Sequence, residues 1–174
     1  MPSDSTGKGA DDRYRIMDPA DLRKITTAFG QGGNTIGDGT AIFLRSLSDT
    51  PKPFLDGNVF YSVVNLVETT EPPFTGTRWQ LQLNKDNSWS LLNQGIEDRL
   101  LARSGTTVGM GRESAALSDA RFSATHWLIY RDRIGFRLRP SSGNWLAVRD
   151  GRVVLSNADS DGDRGLYWDI LAAS

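Results

Sequence analysis

The chain contains no cysteine and only one histidine in 174 residues. Disulfides, thiolate nucleophiles and cysteine-ligated zinc sites are therefore excluded. The net charge at pH 7 is −1, so no overall field attracts nucleic acid or an acidic membrane surface. We expect no nucleic-acid partner, no cofactor and no resident metal.

Long hydrophobic runs are also missing. No segment reaches the ~18–20 apolar residues that a membrane span needs, and the first twelve residues, MPSDSTGKGADD, lack the apolar centre of a signal peptide. We therefore predict no membrane insertion. The expected location is the cytoplasm, or outside the cell if a signal peptide has been removed from this sequence.

Residues 1–40 share no pattern with the rest of the chain and are predicted to form an N-terminal extension. Residues 1–12 are mostly small or charged, and we expect them to be disordered. Residues 14–17 suit a short strand. Asp18 followed by Pro19 is typical of a helix start, which predicts a short helix over residues 19–27.

Three tryptophans carry the main signal of the remaining chain. Trp79, Trp127 and Trp168 each begin a Trp-x-Leu or Trp-x-Ile triplet, at separations of 48 and 41 residues. Two further apolar positions recur upstream of each tryptophan; in chain order they are Phe43, Leu91 and Phe136, and then Leu55, Leu101 and Leu146. This order predicts one unit of roughly forty residues used three times, with the tryptophans buried around a pseudo-threefold axis.

Each unit contains four short apolar runs bounded by turn residues, which predicts strands. Eighteen glycines supply the tight turns that such a chain needs, and Asp150-Gly151 between two apolar runs indicates a two-residue hairpin. The sequence predicts an all-β domain over residues 41–174 with twelve strands. Its repeats would span residues 41–84, 88–131 and 134–172.

This arrangement resembles a β-trefoil of the ricin B lectin type. Gly143-Asn144-Trp145-Leu146-Ala147-Val148, followed by Asp150-Gly151, is similar to that family's second strand and hairpin. The resemblance covers residues 41–172. It implies a trefoil fold and, for a lectin, glycan partners.

The same resemblance implies where a sugar would bind. In the family an Asp after the second-strand Leu accepts hydrogen bonds from sugar hydroxyls, an aromatic residue stacks on the ring, and nearby amides complete the contacts. The first repeat offers Asp56, Asn58, Tyr61 and Asn65 in these roles. Thr77 stands where the family has a Gln, and a plain hairpin turn at Asp56-Gly57 is the alternative.

The other two repeats lack the family's acid. Ala102 and Ala147 stand at that position, and Thr125 and Leu166 stand where a Gln would precede the tryptophan. An alanine side chain cannot accept a hydrogen bond from a hydroxyl. At most one family-like sugar site is therefore predicted, in the first repeat.

Three other motifs carry weaker signals. His126 precedes a core tryptophan and should lie on the surface without a catalytic role, since no Gly-x-Ser-x-Gly motif is present. The alternating acids of residues 159–163 suggest a solvated loop, with weak divalent binding as the alternative, because the turn glycine of a calcium loop is misplaced. Strand alternation sends Arg137 and Arg139 to solvent, either as an ordinary face or as a patch for sulfated or sialylated glycans.

The sequence therefore favours a small non-enzymatic lectin. The alternative is a protein-binding β-trefoil, such as a protease inhibitor, that acts through protruding proline-rich loops at residues 50–53 and 71–74. Trp145 precedes Leu146 on a strand whose alternation can turn it outward, where an exposed tryptophan would be a binding feature; the alternative is that other residues cover it. Nothing in the sequence sets an oligomeric state.

Overall fold

The computed structural model describes residues 15–16, 39–58, 63–74, 76–86, 88–93, 99–103, 107–112, 122–124, 126–131, 134–140, 144–158 and 162–173. The predicted disorder of residues 1–12 and the predicted helix over residues 19–27 lie outside this set. Within it, no helix is long and apolar enough to cross a membrane.

The described chain is all-β apart from one 3₁₀ turn at Arg164–Leu166. Its strands are β1 (Arg15–Ile16), β2 (Ala41–Ser46), β3 (Phe54–Asn58), β4 (Val63–Val67), β5 (Trp79–Leu83), β6 (Trp89–Asn93), β7 (Arg99–Arg103), β8 (Val108–Gly111), β9 (Phe122–Ala124), β10 (Trp127–Arg131), β11 (Phe136–Pro140), β12 (Trp145–Arg149), β13 (Arg152–Ser156) and β14 (Trp168–Ala172).

Six of these strands close into a ring. In order around the ring, β2, β5, β6, β10, β11 and β14 each pair antiparallel with the next, and β14 pairs with β2. Closure leaves each of the six strands paired on both sides, which removes the open edges that make β proteins aggregate. The main apolar core is formed by buried side chains of these strands together with those of the hairpins attached to them.

Three antiparallel hairpins extend from the ring, namely β3–β4, β7–β8 and β12–β13. The last of them turns at Asp150-Gly151, where both residues have positive φ values of 52° and 72°. Two consecutive positive φ values fit the twist of the flanking strands. The predicted two-residue hairpin is therefore confirmed.

The three tryptophans of the sequence pattern lie at equivalent places in the fold. Trp79, Trp127 and Trp168 are fully buried. Each indole N–H donates to a carbonyl at the start of a hairpin: Leu55 at 3.1 Å, Leu100 at 3.0 Å and Leu146 at 3.0 Å respectively. The core position of the tryptophans therefore agrees with the sequence pattern.

The leucine position predicted for the second unit was wrong by one residue. The pattern indicated Leu101, but Leu100 is the residue whose carbonyl receives the tryptophan bond and whose side chain is fully buried. Two adjacent leucines satisfy the same apolar pattern, and a one-residue slip exchanges the faces of a strand. The position that follows is then Leu101 rather than Ala102, and it still offers no acid.

The first strand of each unit agrees with the recurring apolar pattern only in part. On the neighbouring ring strand, Ile42 lies opposite Trp79, Trp89 opposite Trp127 and Phe136 opposite Trp168. Of these three positions, only Phe136 belongs to the pattern. Phe43 points away from the core and is half-buried, while Leu91 lies inside, two residues beyond the paired position.

Residues 15–16, within the predicted N-terminal extension, lie beside the ring. They form β1, which pairs with β10 through Arg15 opposite Arg131 and Ile16 opposite Tyr130. A short strand was predicted at residues 14–17, and its central pair is present. The additional strand β9, which pairs with β7, was not predicted.

Candidate functional site

The outer face of the β3–β4 hairpin carries three of the four predicted sugar-contacting residues. Leu55 and Gly57 of β3 point into the core, so Asp56 and Asn58 point outward. Asp56 lies directly opposite Asn65 on β4. Paired residues share a face of an antiparallel ribbon, so Asp56, Asn58 and Asn65 lie together, while Tyr61 lies outside the described residues.

The Asp56 carboxylate is half-buried and held by the backbone. It accepts a hydrogen bond from the N–H of Gly76, in the segment that leads into β5. Burial raises the pKa of Asp56 above its usual value of 3.8, and the Gly76 hydrogen bond offsets part of that rise. A carboxylate in a partly desolvated place gains more from a hydroxyl donor than one in bulk water does.

The backbone of Gly76 is hydrogen-bonded to strand β3 and to Asn93. Its carbonyl accepts hydrogen bonds from the Gly57 N–H at 2.9 Å and from the Asn93 side-chain amide at 2.9 Å. A Cβ at Gly76 would collide with the Gly57 carbonyl and lie 2.9 Å from Asp56 Oδ1. The absence of a side chain is what lets the Gly76 N–H reach the carboxylate.

The sequence reasoning missed Gly76, although a signal was present. A glycine stands three residues before the core tryptophan in two units, as Gly76 before Trp79 and Gly165 before Trp168. Both glycines are crowded: a Cβ on Gly165 would lie 2.7 Å from the Val148 carbonyl. The repeated Gly-x-x-Trp spacing therefore marks a close backbone approach to the hairpin.

Replacing Gly76 with Ala is expected to lower the free energy of unfolding by about 1–3 kcal/mol, because the new methyl group is forced against backbone. Gly162→Ala is the matched control, since a Cβ there meets nothing within 4 Å. Urea unfolding of both variants is the measurement. Equal midpoints for the two variants would contradict the assigned contact.

Apolar and exposed groups border the Asp56 face. Val63, opposite Asn58, is 38% exposed, and Phe74, two residues before Gly76, is half-buried. Residues 71–73 of the same segment are exposed and include the cis Pro72–Pro73 peptide. Pro51 and Lys52 are exposed as well, so both proline-rich loops present surface to solvent.

The third hairpin presents a different outer face. Ala147, at the position that Asp56 has in the first unit, is fully buried and lies opposite Val154. It packs in a small apolar cluster with Leu166 and Tyr167. The third unit therefore offers no acid to a ligand at this position.

A cavity of about 340 Å³ lies on the same third hairpin. It is lined by Asn144, Arg149, Val154, Leu155, Ser156 and Asn157. Arg149 is held on Asp163, with Nη2 donating to Oδ2 at 2.5 Å and Nη1 to Oδ1 at 3.2 Å. The charge of this arginine is therefore already paired.

Asp163 is the described acid of the alternating acidic motif. Its carboxylate caps the 3₁₀ turn by accepting the Gly165 N–H at 3.1 Å, in addition to its pair with Arg149. Residues 159–161 lie outside the described set. Within that set, no group of three or more His, Asp or Glu side chains could hold a metal ion.

The single histidine belongs to a surface hydrogen-bond network. His126 Nδ1 lies 3.2 Å from Asp86 Oδ2, and its side chain is 31% exposed. Asp86 accepts both the hydroxyl and the N–H of Ser88, and these bonds, with a smaller contribution from His126, lower the pKa of Asp86 to about 2. The serine hydroxyl is directed at the carboxylate rather than at the imidazole, so this is no nucleophile–base pair.

The solvent exposure predicted for Arg137 was wrong. Its residue surface is only 1% exposed, and its guanidinium carbon lies 3.9 Å from the centre of the Trp145 ring and 5.4 Å from that of Tyr167. Alternation does place Arg137 on the outer side of β11. The start of β12 and the residue before β14 cover that side, which periodicity along one strand cannot reveal.

The sequence matches no protein-family model and no curated protein. Solved structures do match. SeviL bound to the asialo-GM1 saccharide shares a TM-score of 0.58 at 13% identity, over 78% of this chain and 99% of that one. The Macrolepiota procera ricin B-like lectin in complex with lactose shares 0.59 at 12% identity, over 80% and 100%.

A third similar structure is the GlcNAcα1-4Gal-releasing endo-β-galactosidase of Clostridium perfringens. It has a TM-score of 0.62 at 14% identity, over 79% of this chain but only 34% of the enzyme. The chain therefore corresponds to about a third of that enzyme. At these identities the three matches establish a fold shared with ricin B-like lectins.

Proposed function

We propose that this protein is a β-trefoil of three four-stranded repeats and works as a small non-enzymatic lectin. Its sugar site would be the outer face of the β3–β4 hairpin. The observation that carries the proposal is the half-buried Asp56 carboxylate, fixed by the Gly76 N–H and lying opposite Asn65.

The chemistry of the face suits a pyranose, which has a rim of hydroxyls and one apolar C–H face. Asp56 would accept hydrogen bonds from adjacent hydroxyls. Asn58 and Asn65 would each offer an amide donor and acceptor, which orients the ring. Tyr61 would stack on the C–H face. Such a site is shallow, and binding at a single site should be weak.

The nature of the similar proteins supports the same choice of ligand. One of them is a ricin B-like lectin in complex with lactose, and another is SeviL bound to the asialo-GM1 saccharide. Lactose and the asialo-GM1 saccharide are therefore the first neutral sugars to test. The other two units lack the acid at this position, so one equivalent of neutral sugar per chain is expected.

A glycan array with the parent protein and Asp56→Ala tests the proposal. We expect the parent to bind a defined set of neutral glycans and Asp56→Ala to lose them, because removing a charged acceptor costs about 1.5–3 kcal/mol. Asp49→Ala is the matched control: it removes an equal charge from an exposed position near the same hairpin. Equal binding by Asp56→Ala and the parent would rule out this site.

A protein-binding trefoil is the second candidate. The exposed prolines of residues 51 and 72–73 favour it, since stiff protruding loops lose little entropy on binding. An array on which the folded parent binds no glycan would place this reading first.

A further inference from the structure

The outer side of β10 and β11 carries an arginine–aromatic cluster, defined as Tyr130, Arg137, Arg139, Trp145 and Tyr167. Tyr130 and Trp145 meet edge to face, with ring centres 5.4 Å apart at 79°. The cluster is separate from the Asp56 face, which lies on the β3–β4 hairpin. Its members come from β10, β11, the start of β12 and the residue before β14.

The inner layer of the cluster fixes the indole of Trp145. Arg137 stacks on the Trp145 ring and lies against Tyr167, which is fully buried. A guanidinium over an aromatic face is attracted by the negative charge of the ring's π electrons. Trp145 is therefore held in place while part of its surface remains open to solvent.

Arg139 forms the outer layer. Its Nη2 donates to the Tyr130 hydroxyl at 2.9 Å, and its guanidinium carbon lies 5.3 Å and 5.5 Å from the rings of Tyr130 and Trp145. Unlike Arg45 and Arg149, which pair with Asp169 and Asp163, Arg139 makes no ion pair within the described part of the chain.

Because Arg139 makes no ion pair within the described part of the chain, its guanidinium has N–H donors left for a ligand. A guanidinium has five N–H donors in a planar fork, and one of them is used by Tyr130. The Tyr130 hydroxyl and the two rings restrict the side chain, so little further entropy is lost when a ligand binds. A planar fork beside a partly exposed indole suits a ligand that has both an anionic group and an apolar face.

We propose that Arg139 and Trp145 form a second saccharide site, selective for sugars that carry an anionic group. The carboxylate or sulfate oxygens would accept two parallel hydrogen bonds from the N–H groups of Arg139 that Tyr130 does not use. The C–H face of the sugar would rest on the open part of Trp145. Tyr130 would act as a positioning residue that orients the guanidinium.

The test uses the full chain with Asp56→Ala, so that the proposed neutral-sugar site is silent. The probes are 3′-sialyllactose, 6′-sulfated lactose and lactose, measured by isothermal titration at low and at high ionic strength. We expect the anionic probes, but not lactose, to bind this protein, and their affinity to fall as salt rises. Binding by one anionic probe alone identifies the group recognised.

Adding Arg139→Gln should weaken binding of the anionic probe about tenfold or more, the loss typical of a charged hydrogen bond. Arg152→Gln is the matched control, because it removes the same charge from an exposed position on β13. Tyr130→Phe deletes one hydroxyl and should weaken binding by a smaller factor without changing the melting temperature, so it also tests the site if Arg139→Gln fails to fold.

Three outcomes would overturn the proposal. In the first, neither anionic probe binds the Asp56→Ala protein more tightly than lactose does. In the second, a folded Arg139→Gln binds as well as its parent. In the third, Arg152→Gln loses as much affinity as Arg139→Gln, which would indicate general charge attraction. None of these results bears on the Asp56 face, whose own test is the loss of neutral glycans in Asp56→Ala.

Discussion

Replacing Trp127 with Ala is expected to lower the free energy of unfolding by about 3–5 kcal/mol. Trp127 is fully buried, and its indole N–H donates to the Leu100 carbonyl at 3.0 Å. The substitution removes a large apolar side chain, leaves a cavity and strands a buried carbonyl. Chemical unfolding monitored by circular dichroism measures the effect, and a midpoint within error of the parent would contradict the core assigned to this residue.

Phenylalanine substitutions separate the hydrogen bond from the volume. Trp89 of β6 lies directly opposite Trp127 on the neighbouring strand β10 and is also buried. Its indole nitrogen has no hydrogen-bond partner among the described residues. Trp127→Phe and Trp89→Phe remove similar volumes, but only the first strands an acceptor. We expect Trp127→Phe to lose about 1–3 kcal/mol more than Trp89→Phe, and equal losses would exclude a contribution from the bond.

Structural features that depend on a repeated pattern or on neighbouring residues could be predicted from the sequence. The tryptophan triplets identify the buried core because only one face of each strand can hold so large a side chain. Asp150-Gly151 identifies its hairpin because the turn itself requires positive φ values. The errors fell where the local pattern is degenerate: Leu100 and Leu101 fit equally well, and only pairing across the sheet decides between them.

The same distinction applies to the candidate sites: their local features could be predicted, and the contacts from distant segments could not. Asp56, Asn58 and Asn65 share one face because strand alternation and hairpin pairing are local rules. The support from Gly76 comes from a segment about twenty residues later in the chain, and no periodicity predicts that approach. Arg137 was misplaced for the same reason, since its cover is supplied by residues of other strands.

Glycan binding at the Asp56 face is expected to fall as the pH is lowered, with a midpoint above 3.8. Burial raises the pKa of Asp56 from that usual value, so the carboxylate takes up its proton earlier than an exposed aspartate does. Hydroxyl donors favour the charged form. Below the raised pKa, affinity should fall by up to about tenfold for each pH unit, as measured by titration of the identified glycan across this range.

The titration of Asp56 does not itself destabilise the fold. Because the folded pKa of Asp56 is raised, its burial cost is present above that pKa and is relieved as the pH falls through it, so protonating Asp56 does not weaken the fold. Asp86 has the opposite sign. Its pKa of about 2 is below the usual 3.8, so its contribution to stability is full above 3.8 and is lost between about 4 and 2, a lower range than the one in which binding fails.

Asp56→Asn is the control for this titration, because the amide keeps the shape and one acceptor oxygen but does not titrate. It should bind the glycan weakly and with no pH dependence above 3.8. If the parent retained full affinity down to pH 3.8, or if Asp56→Asn lost affinity over the same range as the parent, the titrating group would not be Asp56. The assignment of the carboxylate as the acceptor of the sugar hydroxyls would then be wrong.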